Sequence, residues 1–171
     1  MADRVLVLDA AMGTRLIASG LSLVDDDPSL WNLSHPARVA AIHRRDWTAG
    51  ADALTSNTFG ANRIWLDRYG RASRVDEINR RAVLLAREAA GDGGIVLGDL
   101  GPTAAGRPGV VREQAECLVD AGVDALLFET FQFEPACSAV NEVVGWTPVP
   151  VLVSLFEWPD SIGDAAKRLS D

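Results

Sequence analysis

An α/β fold built on a parallel sheet is what this sequence predicts, and three observations carry that prediction. Five short apolar runs occur along the chain, each is followed by a helical pattern, and each ends in a carboxylate or amide side chain. Runs this short, rich in Val, Leu and Ile and not alternating with polar residues, read as strands buried on both faces. Strands joined through helices connect by right-handed crossovers, so the strands lie parallel with the helices outside. Two architectures satisfy that order: an open doubly wound sheet, or part of a (β/α)8 barrel.

The runs are Val5–Leu8 ending in Asp9, Ala53–Ser56 ending in Asn57, Ile95–Gly98 ending in Asp99, Ala125–Phe128 ending in Glu129, and Val151–Phe156 ending in Glu157. The helices between them have legible ends. Pro36, after Ser34, sits in the first turn of a helix carrying Val39 and Ile42, and Gly50 closes it. Ser73 with Asp76 three residues on reads as a capping box. It opens a helix whose apolar face is Val75, Ile78, Ala82, Leu85 and Ala89, with Gly91 beyond its end. Val111, Ala115 and Leu118 mark the third helix, which ends near Gly122. Pro135 starts a fourth that runs to Gly145, and Ser161 with Asp164 starts a fifth that continues through Ala165, Ala166 and Leu169.

The 171 residues suit one domain, 1–171, with a real core. With 16 Lys+Arg against 24 Asp+Glu, the formal net charge is −8. An acidic chain without a basic block repels phosphate backbones, so no nucleic-acid partner is expected. No apolar run approaches the ~20 residues of a membrane helix, so no membrane partner is expected either. The first residues show no signal peptide, and two cysteines make no disulfide framework; a cytoplasmic setting is the expectation. Five units average about 34 residues each, so eight would take about 270, close to the ~250 of a typical barrel.

In either architecture the loops after the strands form the ligand-binding face. Asp9, Asn57, Asp99, Glu129 and Glu157 would then converge on one rim, which points to a cationic or amine-bearing ligand. Polar residues also end strands simply because the chain meets water there. Asp9 and Glu129 nevertheless end apolar strands, where a carboxylate needs a partner.

Leu8-Asp9-Ala10-Ala11-Met12-Gly13-Thr14 resembles the first-strand signature of the homocysteine S-methyltransferase family, which includes the homocysteine domain of cobalamin-dependent methionine synthase and the betaine–homocysteine methyltransferases. Further matches follow in order: Ala49-Gly50-Ala51-Asp52 leading into Thr55-Ser56-Asn57-Thr58-Phe59, then Glu77-Ile78-Asn79, Gly98-Asp99-Leu100-Gly101-Pro102-Thr103, and Ala121-Gly122-Val123-Asp124 through Phe128-Glu129-Thr130. The resemblance implies an incomplete parallel (β/α) barrel of TIM type, about five of eight βα units, forming the N-terminal part of a homocysteine-binding barrel. It implies zinc-dependent methyl transfer to the thiol of homocysteine, giving methionine. Carried over residue by residue, Glu129 receives the substrate ammonium and Asp9 lies beside it. Ser56, Asn57, Thr58 and Phe59 line the pocket, Trp31 places an aromatic near the substrate, and Gly13 and Thr14 offer backbone amides.

Two departures from the family pattern have consequences. The family's zinc ligands are cysteines in an Asn-Cys on the sixth strand and a Gly-Gly-Cys-Cys on the eighth, and neither motif is present. Cys117 and Cys137 fall on separate helices and read as small packing residues, so no zinc site is expected in this chain alone. His35 sits at a helix entrance, and His43 is expected to be partly exposed. Ala10 stands where the family has glycine, which costs something if that position needs a positive φ. A five-unit barrel also leaves open strand edges, which predicts a complementary C-terminal half or self-association. The methyl donor is left open among a methylated pterin acting through cobalamin, betaine, and a sulfonium such as S-methylmethionine. The alternative function is a non-catalytic barrel remnant that binds an amino acid or a partner subunit.

Overall fold

The computed structural model describes residues 5–102, 107 and 109–156. Among them four parallel strands form one sheet: β1 (Ala53–Thr55), β2 (Ile95–Leu100), β3 (Ala125–Phe131) and β4 (Val151–Leu155). Seven α-helices accompany them: α1 (Met12–Ala18), α2 (Trp31–Ser34), α3 (Pro36–Thr48), α4 (Arg63–Asp67), α5 (Val75–Ala90), α6 (Val110–Asp120) and α7 (Phe133–Asn141). The predicted end at Glu157 and the helix from Ser161 to Leu169 lie outside the described residues.

Strand order decides between the two architectures. The sheet runs β1-β2-β3-β4, each strand beside its successor, with Ala53 opposite Ile95, Leu97 opposite Ala125, and Leu126 opposite Val151. A doubly wound sheet reverses direction at a switch point and clothes both faces with helices; this one does neither. Leu54, Val96, Leu126 and Phe128 pack against Val83 and Ala86 of α5, Val111, Ala115 and Leu118 of α6, and Ala136 of α7. The opposite face gathers only strand residues, Ala53, Leu97, Ala125 and Leu127, with Ile95 at its edge. One helix-clad face and one face of strand residues alone is the arrangement of a partial (β/α) barrel. Gly98 fits the clad face, since a Cβ there would crowd Leu118 and Val123 at 3.2 Å.

The first apolar run departs from expectation. Val5–Leu8 is no strand, making only an isolated parallel bridge between Leu8 and Ala53. The Val7 carbonyl accepts from Asp52 N at 2.8 Å, and Asp9 N donates to the Ala53 carbonyl at 3.1 Å. The side chains stay about half exposed or more, with Val5 at 86% and Leu8 at 49%. Strand character needs a neighbour and a cover, and among the described residues this segment has β1 alone.

Helix ends also differ in detail. Ser73 lies in a 3-10 turn, Ala72–Arg74, and the residue capping α5 is Arg74, with no side-chain cap, so the predicted capping box is not formed. Asp76 instead accepts from Arg80 Nε at 2.7 Å, four residues on. Pro36 opens α3 as predicted, though the cap residue is His35, and Gly91 ends α5 at φ +67°. Helix α7 stops at Asn141, short of Gly145. Ala10 does not adopt a positive φ, so its methyl group brings no backbone strain there.

Candidate functional site

The strand ends meet as the alternation requires. Ala53 and Thr55, Leu97 and Asp99, and Leu127 stand on the strand-only face by register, so its rows end in polar side chains at one rim. That rim surrounds a cavity of about 350 Å³, within the usual range for small-molecule sites. Asp9, Gly13, Thr14, Ser56, Asn57, Thr58, Phe59 and Glu129, all expected at a binding site, line it together.

Trp31 is the exception. It is buried with Leu16, Leu21, Val39, Ala40 and Ile42, outside the cavity lining. Its indole N–H donates to Asp26 at 3.0 Å, and His35 lies against its ring at 4.3 Å between centroids. Its role is to pack the α2–α3 corner, which corrects the expectation of an aromatic beside the substrate.

The loop after β1 is held from behind by buried amides. Asn32 Nδ2 donates to the Asn57 carbonyl at 2.8 Å, and Asn57 Nδ2 donates back to Asn32 Oδ1 at 3.0 Å and to the Pro28 carbonyl at 2.7 Å. Gln114 Nε2 donates to the Thr58 carbonyl at 2.7 Å. Thr58 Oγ1 donates to the Asp99 carbonyl at 2.7 Å, and the amide of Asp99 donates to Ser56 Oγ at 3.2 Å. Much of the polar inventory of Ser56, Asn57 and Thr58 is thereby spent on fixing the loop. Gly101 permits the neighbouring approach: its N–H donates to the Phe59 carbonyl, and a Cβ there would stand 2.6 Å from that oxygen.

A bulge aims Glu129. The β3–β4 register shifts between Phe128 and Phe131, and Thr130 takes φ 56°. Residues three apart on a regular strand face opposite sides. Here both phenylalanines are buried in the helix-side core, edge to face at 5.5 Å, while Glu129 reaches the cavity. A β-branched residue at positive φ is strained, a cost that concentrates at functional sites.

Among the described residues three carboxyl groups, Asp9, Asp99 and Glu129, line the cavity, and no Lys, Arg or His does. Asp9 Oδ2 accepts from the Thr55 amide at 2.9 Å, standing in for a missing strand hydrogen bond. Burial raises the pKa of Asp9, opposed by its bonds to Thr55. Asp99 is 4% exposed, and its Oδ1 meets no protein donor. Its pKa is raised well above the ordinary carboxylate range, first by burial, then by the charge and hydrogen bond of Glu129 and the charge of Asp9. The sequence places Asp99 among the strand tips of the ligand-binding rim but gives it no role of its own, because its importance comes from neighbours on other strands. Thr55 and Pro28 also line the cavity without having been singled out.

The sequence matches the family model described as homocysteine S-methyltransferase over residues 6–161. The chain belongs to the homocysteine S-methyltransferase family. Methionine synthases of Mycobacterium tuberculosis and Mycobacterium leprae are each 36% identical to it, over 77% of this chain and 13% of their own length. The chain therefore spans a small part of the curated relatives it matches. Among solved structures, the homocysteine methyltransferase MmuM from Escherichia coli shares the fold. Its metallated form superposes with a TM-score of 0.77 at 23% identity, covering 98% of this chain and 71% of that one. Its oxidized form gives 0.71 at 24% identity, covering 88% and 61%.

The family resemblance implies zinc, and the residues described do not fit it. They contain no group of three or more His, Cys, Asp or Glu placed to hold a metal ion. Cys117 lies on α6 and Cys137 on α7, both free and half-buried. Cys117 packs against Ala61, Leu66, Val75 and Ile78. Burial, with Asp76 and Glu113 adding to it, pushes its thiol up to about 11, far from the thiolate a metal needs. His35 is exposed. His43 is fully buried rather than partly exposed as expected, because α3 turns it inward; neither ring nitrogen has a partner.

Proposed function

We propose that this chain holds homocysteine as the methyl acceptor of an S-methyltransferase, supplying the amino-acid-binding side of the barrel. The observation that carries this reading is a cavity at the strand ends lined, among the described residues, by three carboxyl groups and no cation. An ammonium ion has three N–H donors and no acceptor, the complement of such a cluster. Glu129 and Asp9 take the ammonium group. Gly13 and Thr14, in the first turn of α1, line the same cavity and would offer backbone amides to the substrate carboxylate.

Fixing the two ends of the amino acid directs the thiol away from the acids, toward a donor. Methyl transfer needs a thiolate, and a free thiol of pKa near ~8.5 is mostly protonated at neutral pH. In the family resemblance that task falls to zinc held by later cysteines, which Cys117 and Cys137 do not replace. No step is therefore derived through a metal for these residues, and the methyl donor stays open. The strand-only face, where Leu8 and Leu152 remain 49% and 45% exposed, fits closure by further βα units from a complementary half or a second copy.

Calorimetric titration of the chain with L-homocysteine tests the reading. Wild type should bind, and Glu129→Gln should weaken binding by at least about 30-fold, the ~2 kcal/mol of a lost charge-assisted bond. No measurable heat with wild type would overturn it.

A further inference from the structure

We infer that Asp99 holds a proton against Glu129 in the ligand-free chain, and gives it up to solvent when the ammonium group of an amino acid enters the cavity. The inference rests on the amino-acid reading above and adds a residue and a proton to it.

Geometry supplies the first support. Asp99 and Glu129 sit on adjacent strands, β2 and β3, and both line the one cavity. Asp9, from the segment beside β1, adds a third charge close enough to act on both. Three ionised carboxylates around one cavity, with no lining cation among the described residues, repel one another, and the most buried is the one that keeps a proton. Asp99 is that one at 4% exposed, and among the described residues Asp9, Asp99 and Glu129 are the titratable groups lining the cavity.

The second support is where the hydrogen bonds go. Ser56, Thr58 and Gln114 bond the Asp99 backbone or the loop around it, and none reaches Asp99 Oδ1. The strand end is held firmly, while one carboxyl oxygen of this cavity-lining residue is buried with no protein donor to accept from. Buried polar atoms in native structures have partners, and an unpartnered one on a residue that lines a cavity leaves a place for a ligand donor.

The exchange balances. Without ligand, Asp99 is a neutral acid donating to the Glu129 carboxylate, and Asp9 is the second anion. As R–NH3+ arrives, the Asp99 O–H bond breaks, its proton leaves to water, and three N–H donors face three carboxylates. The cluster's net charge is the same before and after. Proton and ammonium compete for one place, so affinity rises with pH until Asp99 ionises by itself. A ligand without the amine has nothing to offer in exchange, which makes Asp99 a specificity-determining residue for ligands that carry an ammonium group.

Two measurements test the inference, one without ligand. Carboxyl-carbon NMR of the free chain across about pH 3 to 9 should show Asp99 protonated well beyond the ordinary ~3.9. Ionisation in the ordinary range would overturn the proposal whether or not anything binds. Calorimetry with L-homocysteine, repeated in phosphate and Tris buffers of different ionisation heat, should report up to about one proton released per ligand. Asp99→Asn should release none, and 4-mercaptobutyrate should leave the Asp99 titration where it was. Buffer-independent heat, or release that persists in D99N, would overturn the exchange while leaving homocysteine binding intact. No heat in either buffer, with Asp99 titrating high, would remove the ammonium reading and the exchange with it.

Discussion

Asp99 and His43 are both buried titratable side chains with ring or carboxyl atoms that meet no protein partner, yet they sit in unlike regions. Asp99 ends a strand at the rim and faces a cavity; His43 is sealed on α3, outside that lining. Burial pushes both toward their neutral forms, raising the acid and lowering the base, His43 from 6.5 to about 4. For His43 neutrality is the end of the matter, since no ligand can reach it. For Asp99 the same penalty is stored against the arrival of a cation. An unpartnered polar atom signals binding where there is room for a partner, and signals only a cost where there is none.

The largest expected effect sharpens that contrast at His43. Above pH 6.5 the imidazole is neutral folded and unfolded; as pH falls toward about 4 the unfolded chain takes up a proton that the folded chain refuses. The shift from 6.5 to about 4 amounts to about 3 kcal/mol of stability lost with acid, at ~1.4 kcal/mol per pH unit. Urea unfolding of wild type and His43→Leu at a series of pH values reads this, and His43→Leu should lose the corresponding part of the acid slope. An unchanged slope would show that the ring is not sealed.

Asp99 should come next, with the opposite sign. Its raised pKa means that the folded chain keeps a proton the unfolded chain has lost, so its contribution is present below the ordinary carboxylate range and falls away as pH rises through the folded value. Asp99→Asn should flatten that decline in the same unfolding series. A decline that survives the substitution would place the burden on Asp9 instead. The smallest effect is at Thr130, where Thr130→Gly should raise stability by about 1 kcal/mol by releasing strain at positive φ. Thermal melting reads it, and a lower melting temperature would show that the threonine side chain stabilises the bulge.

What the sequence made legible follows the same division between local and relational facts. The runs at β2 and β3 and the apolar stripe of α5 depend on burial and period, which a single chain displays. So do the acid tips Asp9 and Glu129, which the structure brings to one cavity. Val5–Leu8 looked equally strand-like, but strand character there depends on cover from neighbours. Ser73 had the spacing of a cap, and the 3-10 turn that removes it is set by the tertiary path of residues 72–74. Trp31 could be placed near a ligand or in the core with equal ease from its neighbours in sequence, and packing decided for the core. The helical turn of α1 after the first signature, and the amides of Asn32 and Gln114 behind the loop, gave no periodic signal at all.

The bulge at Thr130 ties two parts of the molecule that would otherwise vary independently. Straightening β3 with Thr130 kept in place would restore plain alternation, and Phe128 and Phe131 would then face opposite sides. Either Phe131 would leave the oily layer under α6 and α7, or Glu129 would swing away from the rim. The chain cannot lose its aim on a ligand at this point without also losing a stitch of its interior, so selection for a folded protein guards the acid as well.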